Sequence, residues 1–493
     1  MFKLEGLPPA LESLLSREDR IAPVWIVGGA IRDFLLQRRS QDVDFATSGD
    51  ALALARMAAD QLDAHVYILD GERGAGRVLY QAPDGRKQTF DFAQLRGDTI
   101  EADLRDRDLT INAMGVRFSA PDELIDPCGG LQHLRAGVVE LCAEDAIRRD
   151  PVRALRAIRI ATELTFKISP QTLAAIRAKT ATELISAERI RDELFNILGL
   201  TDPTPAIQIL AHLEKLHMLF PKRDKSVVAV DWTYQDRDSI DIALRGLRHI
   251  VSILNLFTPE ADSESAAQST LGLLKWKLGR FRFTLDQHLH EESSYNRNRR
   301  EMLLLTTFLH PLFVVSAFDD SSGRPLETSA TDHRQAYEQM GNRLRLSRDE
   351  IDWAIHWENG LEFLMQPLES STSTDLLSHR YYRTSRDAGV GAALSMLAYE
   401  LARNVEPPVA DHWASRLEIT RAFFEAWFEK HDVLVEPQPL IDGHEVMEVL
   451  EIPPGPEIGR IIEQVREGQV VGDLVSRKQA LEFIAQQFGS QLG

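Results

Sequence analysis

The first 140 residues alternate short apolar runs with segments of helical spacing. VWIVGG (24–29) is a buried run that ends in two glycines, and DVDFAT (42–47) alternates polar and apolar residues, as strands with one buried face do. Three further runs predict strands: HVYIL (65–69), GRVLYQA (76–82) and QTFDFAQL (88–95). Segments 30–36 and 50–62 have helical spacing. The pattern predicts a small α/β or α+β unit of four or five strands.

From residue 141 onward the pattern is almost entirely helical. In DPVRALRAIRIATEL (150–164), aspartate at the N-cap and proline at the first helical position predict a helix start. Two serine-initiated helices are predicted at 169–180 and 186–198. A loop is predicted at 321–330, and the proline-rich segment 404–412 predicts a boundary near residue 405.

Composition excludes several classes of protein. The 493 residues are 44% hydrophobic and 27% charged, which is typical of a folded chain of about three domains. No run of 18 apolar residues predicts a membrane span, and the N-terminal segment lacks a secretory apolar region, so we expect a cytoplasmic protein. Two cysteines, Cys128 and Cys142, are too few for a disulfide framework or a cysteine-rich zinc site.

The charge distribution changes one expectation. A formal net charge of −19 argues at first sight against a nucleic-acid partner. Residues 1–150 carry −8 and residues 301–493 carry −15, but residues 151–300 carry +4. We therefore expect any polyanion to bind in the middle third, although so small an excess also fits a chance distribution.

Three carboxylates are candidate metal ligands. Asp42 and Asp44 lie two residues apart on a predicted strand, so both point to one face, and Asp91 lies on a later strand between two phenylalanines. Together they would concentrate negative charge that suits Mg²⁺, which binds a few carboxylates together with substrate phosphates. An isolated Asp-x-Asp is more often a pair of solvated strand residues.

The preceding turn strengthens that interpretation. Gly28 and Gly29 end a strand, and Arg32 lies on the first turn of the next helix. Glycines permit close approach of the backbone to a phosphate, and the helix N-terminus and Arg32 favour an anion. A phosphate cradle about thirteen residues before an Asp-x-Asp strand resembles the arrangement of a nucleotidyltransferase palm.

Four motifs resemble one family. GGAIRDFLLQRRSQDVDFAT (28–47) is similar to the first motif of the class II tRNA nucleotidyltransferases and bacterial poly(A) polymerases, and RDLTINAM (107–114) resembles the second. RRDPVRALRAIR (148–159) resembles the base-recognition helix, and SAERIRDEL (186–194) resembles the motif that closes the neck. The motifs stand in family order over residues 20–200, and 440–462 resembles the C-terminal segment of CCA-adding enzymes.

The resemblance implies a role for each matching position. Asp42 and Asp44 would hold two Mg²⁺ ions, with Asp91 supporting one of them. Gly29 and Arg32 would meet the triphosphate, beside Gly28 in the nucleotide-binding turn. The remaining nucleotide contacts would come from Arg107, Asp108, Asn112, Asp150, Arg153, Arg156 and Arg159.

Helix geometry gives the base-recognition assignment an independent reason. Arg153, Arg156 and Arg159 are three residues apart and fall within an arc of about 120° on a helix that Asp150 begins. Aspartate accepts hydrogen bonds and arginine donates them. This pair suits the pairing edges of cytosine and adenine, and it leaves polar groups unpaired against guanine or uracil. Without the palm motifs, a solvated or salt-bridged helix face is the better interpretation of the three arginines.

The implied protein is an α+β enzyme that adds C and A residues from CTP and ATP to the tRNA 3′ end without a nucleic-acid template. The expected domains are a small mixed-sheet palm (1–140), a helical neck (141–240), a helical body resembling a degenerate HD phosphohydrolase (241–405) and a helical tail (406–493). Arg149 stands where the family often has Glu. CC-only addition and A-only addition therefore remain open. Poly(A) synthesis is a separate alternative, and the choice between monomer and homodimer is also open.

Two features outside the palm have competing interpretations. His249, His310, His333 and His356 follow the order of an HD domain, but the diagnostic pair is His310-Pro311, so we expect no phosphohydrolase activity. The segment KWKLGRFRF (275–283) either contacts phosphates of the tRNA acceptor arm or is an amphipathic helix that packs through Trp276 and Phe281.

Overall fold

The computed structural model describes residues 6–17, 21–40, 42–178, 185–219, 237–258, 269–291, 297–315, 330–367, 372–403 and 410–489. The predicted boundary near 405 lies outside them, as does the predicted loop apart from Ala330, which begins a helix. Among the described residues, no helix is both long and apolar enough to cross a membrane. The chain divides into two compact units, Met1–Glu193 and Leu194–Gly493. The finer division into palm, neck, body and tail stays a prediction.

A mixed sheet of seven strands organises the first unit. Its strands are β1 (Val24–Val27), β2 (Asp42–Thr47), β3 (His65–Asp70), β4 (Ala75–Gln81), β5 (Lys87–Gln94), β6 (Gly115–Arg117) and β7 (Ala120–Ile125). They lie in the order β3-β4-β5-β2-β1-β6-β7, with β2 and β5 parallel and the other neighbours antiparallel. A second, two-stranded sheet pairs β8 (Val138–Val139) with β9 (Lys167–Ile168). The predicted mixed sheet is confirmed, although the pattern missed β6 and β7.

One face of the large sheet is apolar because residues alternate along its strands. Phe45 of β2 and Phe92 of β5 are buried and stack with ring centroids 5.0 Å apart. This face packs on a helix, since a Cβ atom added at Gly76 of β4 would lie 3.2 Å from both Leu52 and Ala55. The side chains of Asp42, Asp44 and Asp91 occupy the alternate positions and belong to the opposite face.

The helices of the first unit surround this sheet. They are α1 (Pro9–Leu15), α2 (Gly29–Leu35), α3 (Ala51–Leu62), α4 (Ile100–Arg105), α5 (Gly130–Ala136), α6 (Ala146–Arg149), α7 (Val152–Leu164) and α8 (Pro170–Arg177). Ser169 caps α8 as predicted, because its hydroxyl accepts a hydrogen bond from the backbone N–H of Thr172. Helix α9 (Ala187–Leu198) follows at the end of the unit.

The described part of the second unit is helical. Its helices are α10 (Thr204–His212), α11 (Leu216–Leu219), α12 (Arg237–Asn255), α13 (Ser269–Leu278), α14 (Arg282–Leu289), α15 (Arg299–Val315), α16 (Ala330–Arg343), α17 (Arg348–Met365), α18 (Thr374–Ser385), α19 (Gly389–Arg403), α20 (Ala410–Phe428), α21 (Gly443–Leu450), α22 (Pro456–Val470) and α23 (Arg477–Phe488). Helices α12, α15, α17 and α19 pack together, and α21–α23 enclose a separate apolar cluster that includes Val446, Ile461 and Ile484.

Pro311 lies inside α15, and the structure compensates for it. Proline has no N–H, so the carbonyl of Thr307, four residues earlier, loses its helical hydrogen bond. The buried hydroxyl of Tyr399 on α19 donates to that carbonyl at 2.6 Å. The two helices are therefore joined where α15 lacks a backbone bond.

Replacing Tyr399 with phenylalanine should lower the free energy of unfolding by about 1–2 kcal/mol, because the Thr307 carbonyl would be buried without a partner. Denaturant unfolding of the full chain measures this. In a Pro311→Ala background the restored N–H satisfies the carbonyl, and the same change should cost less. Equal costs in both backgrounds would contradict this explanation.

Candidate active site

The register of the sheet brings the candidate carboxylates together. Asp44 of β2 lies opposite Val27 of β1 and opposite Asp91 of the parallel strand β5. Asp42 lies two residues before Asp44, so its side chain projects to the same face. The predicted juxtaposition of Asp42, Asp44 and Asp91 is therefore present in the fold.

The carboxylate of Asp44 lies among like charges on the sheet. Burial raises the pKa of Asp44, and the charges of Asp91 and Asp42 raise it further, against the opposing effects of Arg107 and Arg156. A negative charge is thus disfavoured there in the absence of a cation. A divalent cation would relieve both the burial and the repulsion, so this donor set fits a metal ion.

Asp91 has a partner that the sequence pattern did not indicate. Arg77 of β4 lies directly opposite it and donates two hydrogen bonds, from Nε to Oδ1 at 2.8 Å and from Nη2 to Oδ2 at 2.7 Å. This bidentate pair neutralises one of the three carboxylates. Only the pairing of β4 with β5 reveals it, because the two residues are 14 positions apart.

Gly28 holds the turn between β1 and α2 in a conformation that favours glycine. Its φ is +81°, and a Cβ atom added there would lie 2.6 Å from Oδ2 of Asp44 and 3.1 Å from Nη1 of Arg107. Gly29 has no such restriction, since its added Cβ would come no closer than 3.6 Å to Arg32. The first glycine therefore provides the space that the Asp44 carboxylate occupies.

A Gly28→Ala substitution should lower the free energy of unfolding by about 1–3 kcal/mol through backbone strain, and it should also displace the Asp44 carboxylate and reduce nucleotide incorporation. Gly29→Ala, at the first residue of α2, is the matched control for stability and should change the unfolding free energy little. Equal stability losses in the two variants, measured by denaturant unfolding, would refute this role for Gly28.

Arg32 and Asn112 form a buried pair beside this turn. Nη1 of Arg32 donates to Oδ1 of Asn112 at 2.9 Å, and its Nε donates to Oδ1 of Asp33 at 2.8 Å. Asn112 lies in a short 3₁₀ helix at 110–112, which belongs to the second predicted motif. The first and second motifs thus meet through these side chains.

Arg107 and Asp108 lie at the start of that second motif. Arg107 donates to Asp103 from Nε at 3.3 Å and from Nη2 at 3.2 Å, and its charge acts on Asp44. Burial alone would raise the pKa of Asp108, but the guanidinium of Arg156 and the backbone N–H of Leu109 outweigh it and lower that pKa. Asp108 is therefore an ionised, buried partner for Arg156.

The helix predicted to recognise the base begins slightly later than predicted. Helix α7 starts at Val152 with Pro151 as its N-cap residue, and Asp150 is extended, with φ −147°. The predicted N-cap role of Asp150 is therefore wrong, because residues 146–149 form the separate short helix α6 and Asp150 ends it. The side chain of Asp150 nevertheless stays beside α7, 3.9 Å from Nε of Arg153.

Arg153 is fixed by backbone carbonyl groups. Its Nη1 donates to the carbonyl of Arg107 at 3.3 Å, and its Nη2 donates to that of Asp106 at 2.8 Å. Asp150 accepts a hydrogen bond from Nη2 of Arg189 at 2.7 Å. Arg189 belongs to the neck motif at 186–194 but was not among the predicted site residues, since no pattern shows that it reaches Asp150.

Arg156 and Arg159 continue the row along α7 and are held by carboxylates. Nε of Arg156 donates to Asp108 at 2.6 Å, and Nε of Arg159 donates to Glu193 at 3.0 Å. Glu193 of α9 is buried and also lies 3.7 Å from Arg156. Both arginines are thus ion-paired in this structure, and the sequence pattern had not identified Glu193.

A large cavity lies at the start of α7. It has a volume of about 1010 Å³ and is lined by Asp150, Arg153, Arg149 and Arg189, together with Ala93 and Gln94 at the end of β5. Ala93 is two residues beyond Asp91 on β5, and the described residues that line the cavity do not include Asp42, Asp44 or Asp91. Arg149, the departure from the family pattern, is held between Asp106, at 2.6 Å, and Asp145, at 3.1 Å.

The four histidines of the predicted HD-like body do not form one site. His310 and His333 lie near each other, with ring centroids 5.9 Å apart, and both contact Glu358. His356 lies on another side of α17 and lines a different cavity. Hydrogen bonds and charge from Glu358 and Glu362 raise the pKa of His333 to about 9.

The basic aromatic segment is only partly packed. Phe281 is buried, as the amphipathic interpretation predicts, but Trp276 is 74% exposed, so packing through Trp276 is wrong. The ammonium of Lys277 lies 4.6 Å from the centre of the Trp276 ring and forms an ion pair with Glu418.

Family models match two parts of the chain, one before and one after the motif at 148–159. Residues 24–140 match the poly A polymerase head domain, and residues 165–226 match the probable RNA and SrmB- binding site of polymerase A. The first match contains the carboxylates and the glycine turn, and the second includes Arg189 and Glu193.

Relatives of three activities align with the chain. A CC-adding tRNA nucleotidyltransferase of Geobacter sulfurreducens is 40% identical over 200 residues, which are 40% of this chain and 45% of the relative, so the match spans less than half of that protein. An A-adding tRNA nucleotidyltransferase of Deinococcus radiodurans is 28% identical over 93% of this chain and 94% of its own length. A multifunctional CCA protein of Nitrosococcus oceani is 30% identical over 60% of this chain and 71% of its own length.

Solved structures share the fold. A CCA-adding enzyme with CTP superposes with a TM-score of 0.60 at 20% identity, over 97% of this chain and 96% of that one. The Thermotoga maritima CCA-adding enzyme complexed with tRNA_CCA gives 0.56 at 20% identity, over 98% and 96%. The chain therefore belongs to the tRNA nucleotidyltransferase and poly(A) polymerase family.

Proposed function

We propose that this protein adds C and A residues from CTP and ATP to the 3′ end of tRNA without a nucleic-acid template. The observation that carries the proposal is the arrangement within the first unit. Asp44 and Asp91 face each other across paired strands, and the cavity lined by Asp150 and Arg153 begins two residues beyond Asp91. One site thus joins a carboxylate cluster suited to phosphoryl chemistry to a pair of groups suited to base selection. We place this reaction in the cytoplasm, where tRNA and both nucleotides are available.

The proposed reaction is an in-line displacement. The RNA 3′-hydroxyl attacks the α-phosphorus, a phosphodiester bond forms, and pyrophosphate leaves with the electron pair of the broken bond. Two Mg²⁺ ions bound by Asp42 and Asp44, with support from Asp91, would supply activation of the hydroxyl and stabilisation of the leaving group. Gly28 keeps the Asp44 carboxylate in place, and Arg107 offers positive charge beside it.

Base selection rests on the hydrogen-bonding capacity of Asp150 and Arg153. The guanidinium has five N–H groups, of which one on Nη1 and one on Nη2 are used by the carbonyls of Arg107 and Asp106. The remaining donors include Nε–H, which lies on the Asp150 side. A ring nitrogen that accepts from Arg153 and an amino group that donates to Asp150 match cytosine and adenine alike.

A-only addition is the second candidate. The Deinococcus radiodurans relative, which aligns along nearly the whole chain, is named as an A-adding enzyme. Arg149, where the family often has Glu, gives the cavity an additional cation beside Asp150. CC-only addition is supported by the Geobacter sulfurreducens relative, which matches 40% of this chain. Poly(A) synthesis ranks lower because residues 301–493 carry −15, which does not favour binding of generic RNA.

One assay separates these activities. The protein is incubated with Mg²⁺ and tRNAs that end at the discriminator base, in C or in CC, with each labelled nucleoside triphosphate alone and with CTP and ATP together. With both nucleotides, CCA addition extends all three substrates to the same end. A-only addition extends only the CC-ended tRNA, CC-only addition stops before A, and a poly(A) polymerase produces long ladders of A. No incorporation on any substrate would refute the proposed function.

A further inference from the structure

Three metal-ligating side chains meet in the second unit, outside the proposed active site. His333 lies on α16, whereas Glu358 and Glu362 lie one turn apart on α17 and therefore share a face. Nδ1 of His333 is 3.0 Å from Oε1 of Glu358 and 3.4 Å from Oε1 of Glu362. One ligand atom from each residue lies within 4.8 Å of the others.

The spacing of these atoms is close to that of ligands around one ion. Ligands of a tetrahedral zinc ion, each about 2.0–2.2 Å from the metal, lie about 3.3–3.6 Å apart. The distance from His333 to Glu362 falls within this range, and the distance to Glu358 is shorter. The helix that carries both carboxylates, α17, begins at a capping box formed by Ser347 and Glu350, which stabilises its first turn.

The unsatisfied polar atoms of the cluster are a second, independent observation. The side chain of His333 is 10% exposed, and its Nε2 has no hydrogen-bond partner among the described residues, whereas Nδ1 faces the carboxylates of Glu358 and Glu362. The buried hydroxyl of Tyr337, one turn further along α16, is likewise unsatisfied. Buried polar atoms without partners are unusual. A cation shared with Glu358 and Glu362 would take the place of the proton on Nδ1 of His333.

Glu358 is oriented from its other side by His310. Nδ1 of His310 is 3.1 Å from both carboxylate oxygens of Glu358. A hydrogen bond from a second residue to a ligating carboxylate is the usual outer-shell arrangement of metal sites. The rings of Trp357 and Tyr399 lie 5.9 and 5.5 Å from His310, so this side of the cluster is aromatic and protected.

The donor set indicates the class of metal. One imidazole nitrogen and two carboxylate oxygens suit a first-row transition-metal dication better than Mg²⁺ or Ca²⁺, which prefer oxygen ligands alone. Three protein ligands leave a position for water, as in three-ligand zinc sites. We propose that His333, Glu358 and Glu362 bind one such dication, joining α16 to α17, at a site independent of Asp42 and Asp44.

Zinc is the probe for this site. The full chain carrying Asp42→Asn and Asp44→Asn, which removes the proposed active-site ligands, is stripped of metal and titrated with zinc against a chromophoric chelator. We expect one bound equivalent. Glu362→Gln in the same background should weaken binding by about 10-fold or more, since even outer-shell changes commonly cost 10–100-fold. The side chain of Glu362 is 29% exposed, so this variant is expected to fold.

Glu338→Gln is the matched control, because Glu338 lies on α16, the helix of His333, but pairs with Arg334 outside the cluster. It should bind zinc as the parent does. Zinc should also raise the melting temperature of the parent and of this control but not that of Glu362→Gln. The proposal is overturned if no equivalent binds, or if Glu362→Gln binds as tightly as the parent, or if the control loses binding equally. Because the test is made without Asp42 and Asp44, its outcome is separate from that of the proposed function.

Discussion

Replacing Asp44 with asparagine should reduce nucleotide incorporation by about 10³-fold or more while leaving the fold intact. Asparagine keeps the shape of the side chain but removes the charge that a divalent cation requires at this position. Steady-state incorporation of labelled nucleotide into tRNA measures the loss. Asp84→Asn is the control, since Asp84 is an exposed carboxylate in a turn of the same sheet and pairs with Arg86. It should retain wild-type incorporation.

Although Asp44→Asn should reduce incorporation, we expect it to leave the stability of the metal-free fold unchanged or to increase it. Burial, Asp91 and Asp42 raise the pKa of Asp44, so the ionised carboxylate destabilises the metal-free fold as the pH rises through that pKa. At neutral pH without metal, Asp44→Asn should therefore unfold at the same temperature as the wild type or higher. Mg²⁺ should stabilise the wild type and not the variant. Incorporation at wild-type rates would remove Asp44 from the metal-binding role.

Replacing Asp150 with alanine should reduce the preference for CTP and ATP over UTP and GTP by about 10²-fold or more. The variant removes the acceptor for the amino group of the correct bases, and sites built on hydrogen bonds discriminate strongly only while those bonds are available. The measurement is kcat/KM for each nucleotide on tRNAs that end in C or in CC. Arg153→Ala should have a similar effect because it removes the complementary donor.

Arg148→Ala is the control for both variants. Arg148 lies in the same motif, but its side chain is 82% exposed and its partner is Asp145. It should keep the wild-type ratio of nucleotides. If Asp150→Ala or Arg153→Ala also kept that ratio, these residues would have no part in base selection.

The palm could be predicted because its signals are local. The alternation in DVDFAT and QTFDFAQL places the carboxylates opposite the phenylalanines, and the paired strands confirm that arrangement. Strands β6 and β7 were missed because one has three residues and the other is acidic and contains proline, so neither shows a clear period of two. Their place in the sheet depends on pairing with β1 and with each other.

The partners of the site residues could not be predicted in the same way. Arg77, Arg189 and Glu193 reach Asp91, Asp150 and Arg159 only after strands and helices distant in sequence have packed. The start of α7 was misplaced because Asp150 and Pro151 suit an N-cap and first turn, while the preceding residues form a short helix of their own. In the second unit, His356 and Glu358 are two positions apart on α17 and thus point about 200° apart, which sequence order does not reveal.

The bidentate contact between Arg77 and Asp91 has a consequence for the order of events at the proposed site. A magnesium ion that binds without nucleotide would contact a cluster of three carboxylates, and one of them, Asp91, is already paired with Arg77. A nucleoside triphosphate offers that guanidinium another anion and brings its own oxygen ligands. When magnesium or the nucleotide binds and weakens the ion pair of Arg77 with Asp91, binding of the other ligand is favoured. Magnesium and nucleotide should therefore bind with positive thermodynamic coupling, each raising the affinity for the other by the same factor.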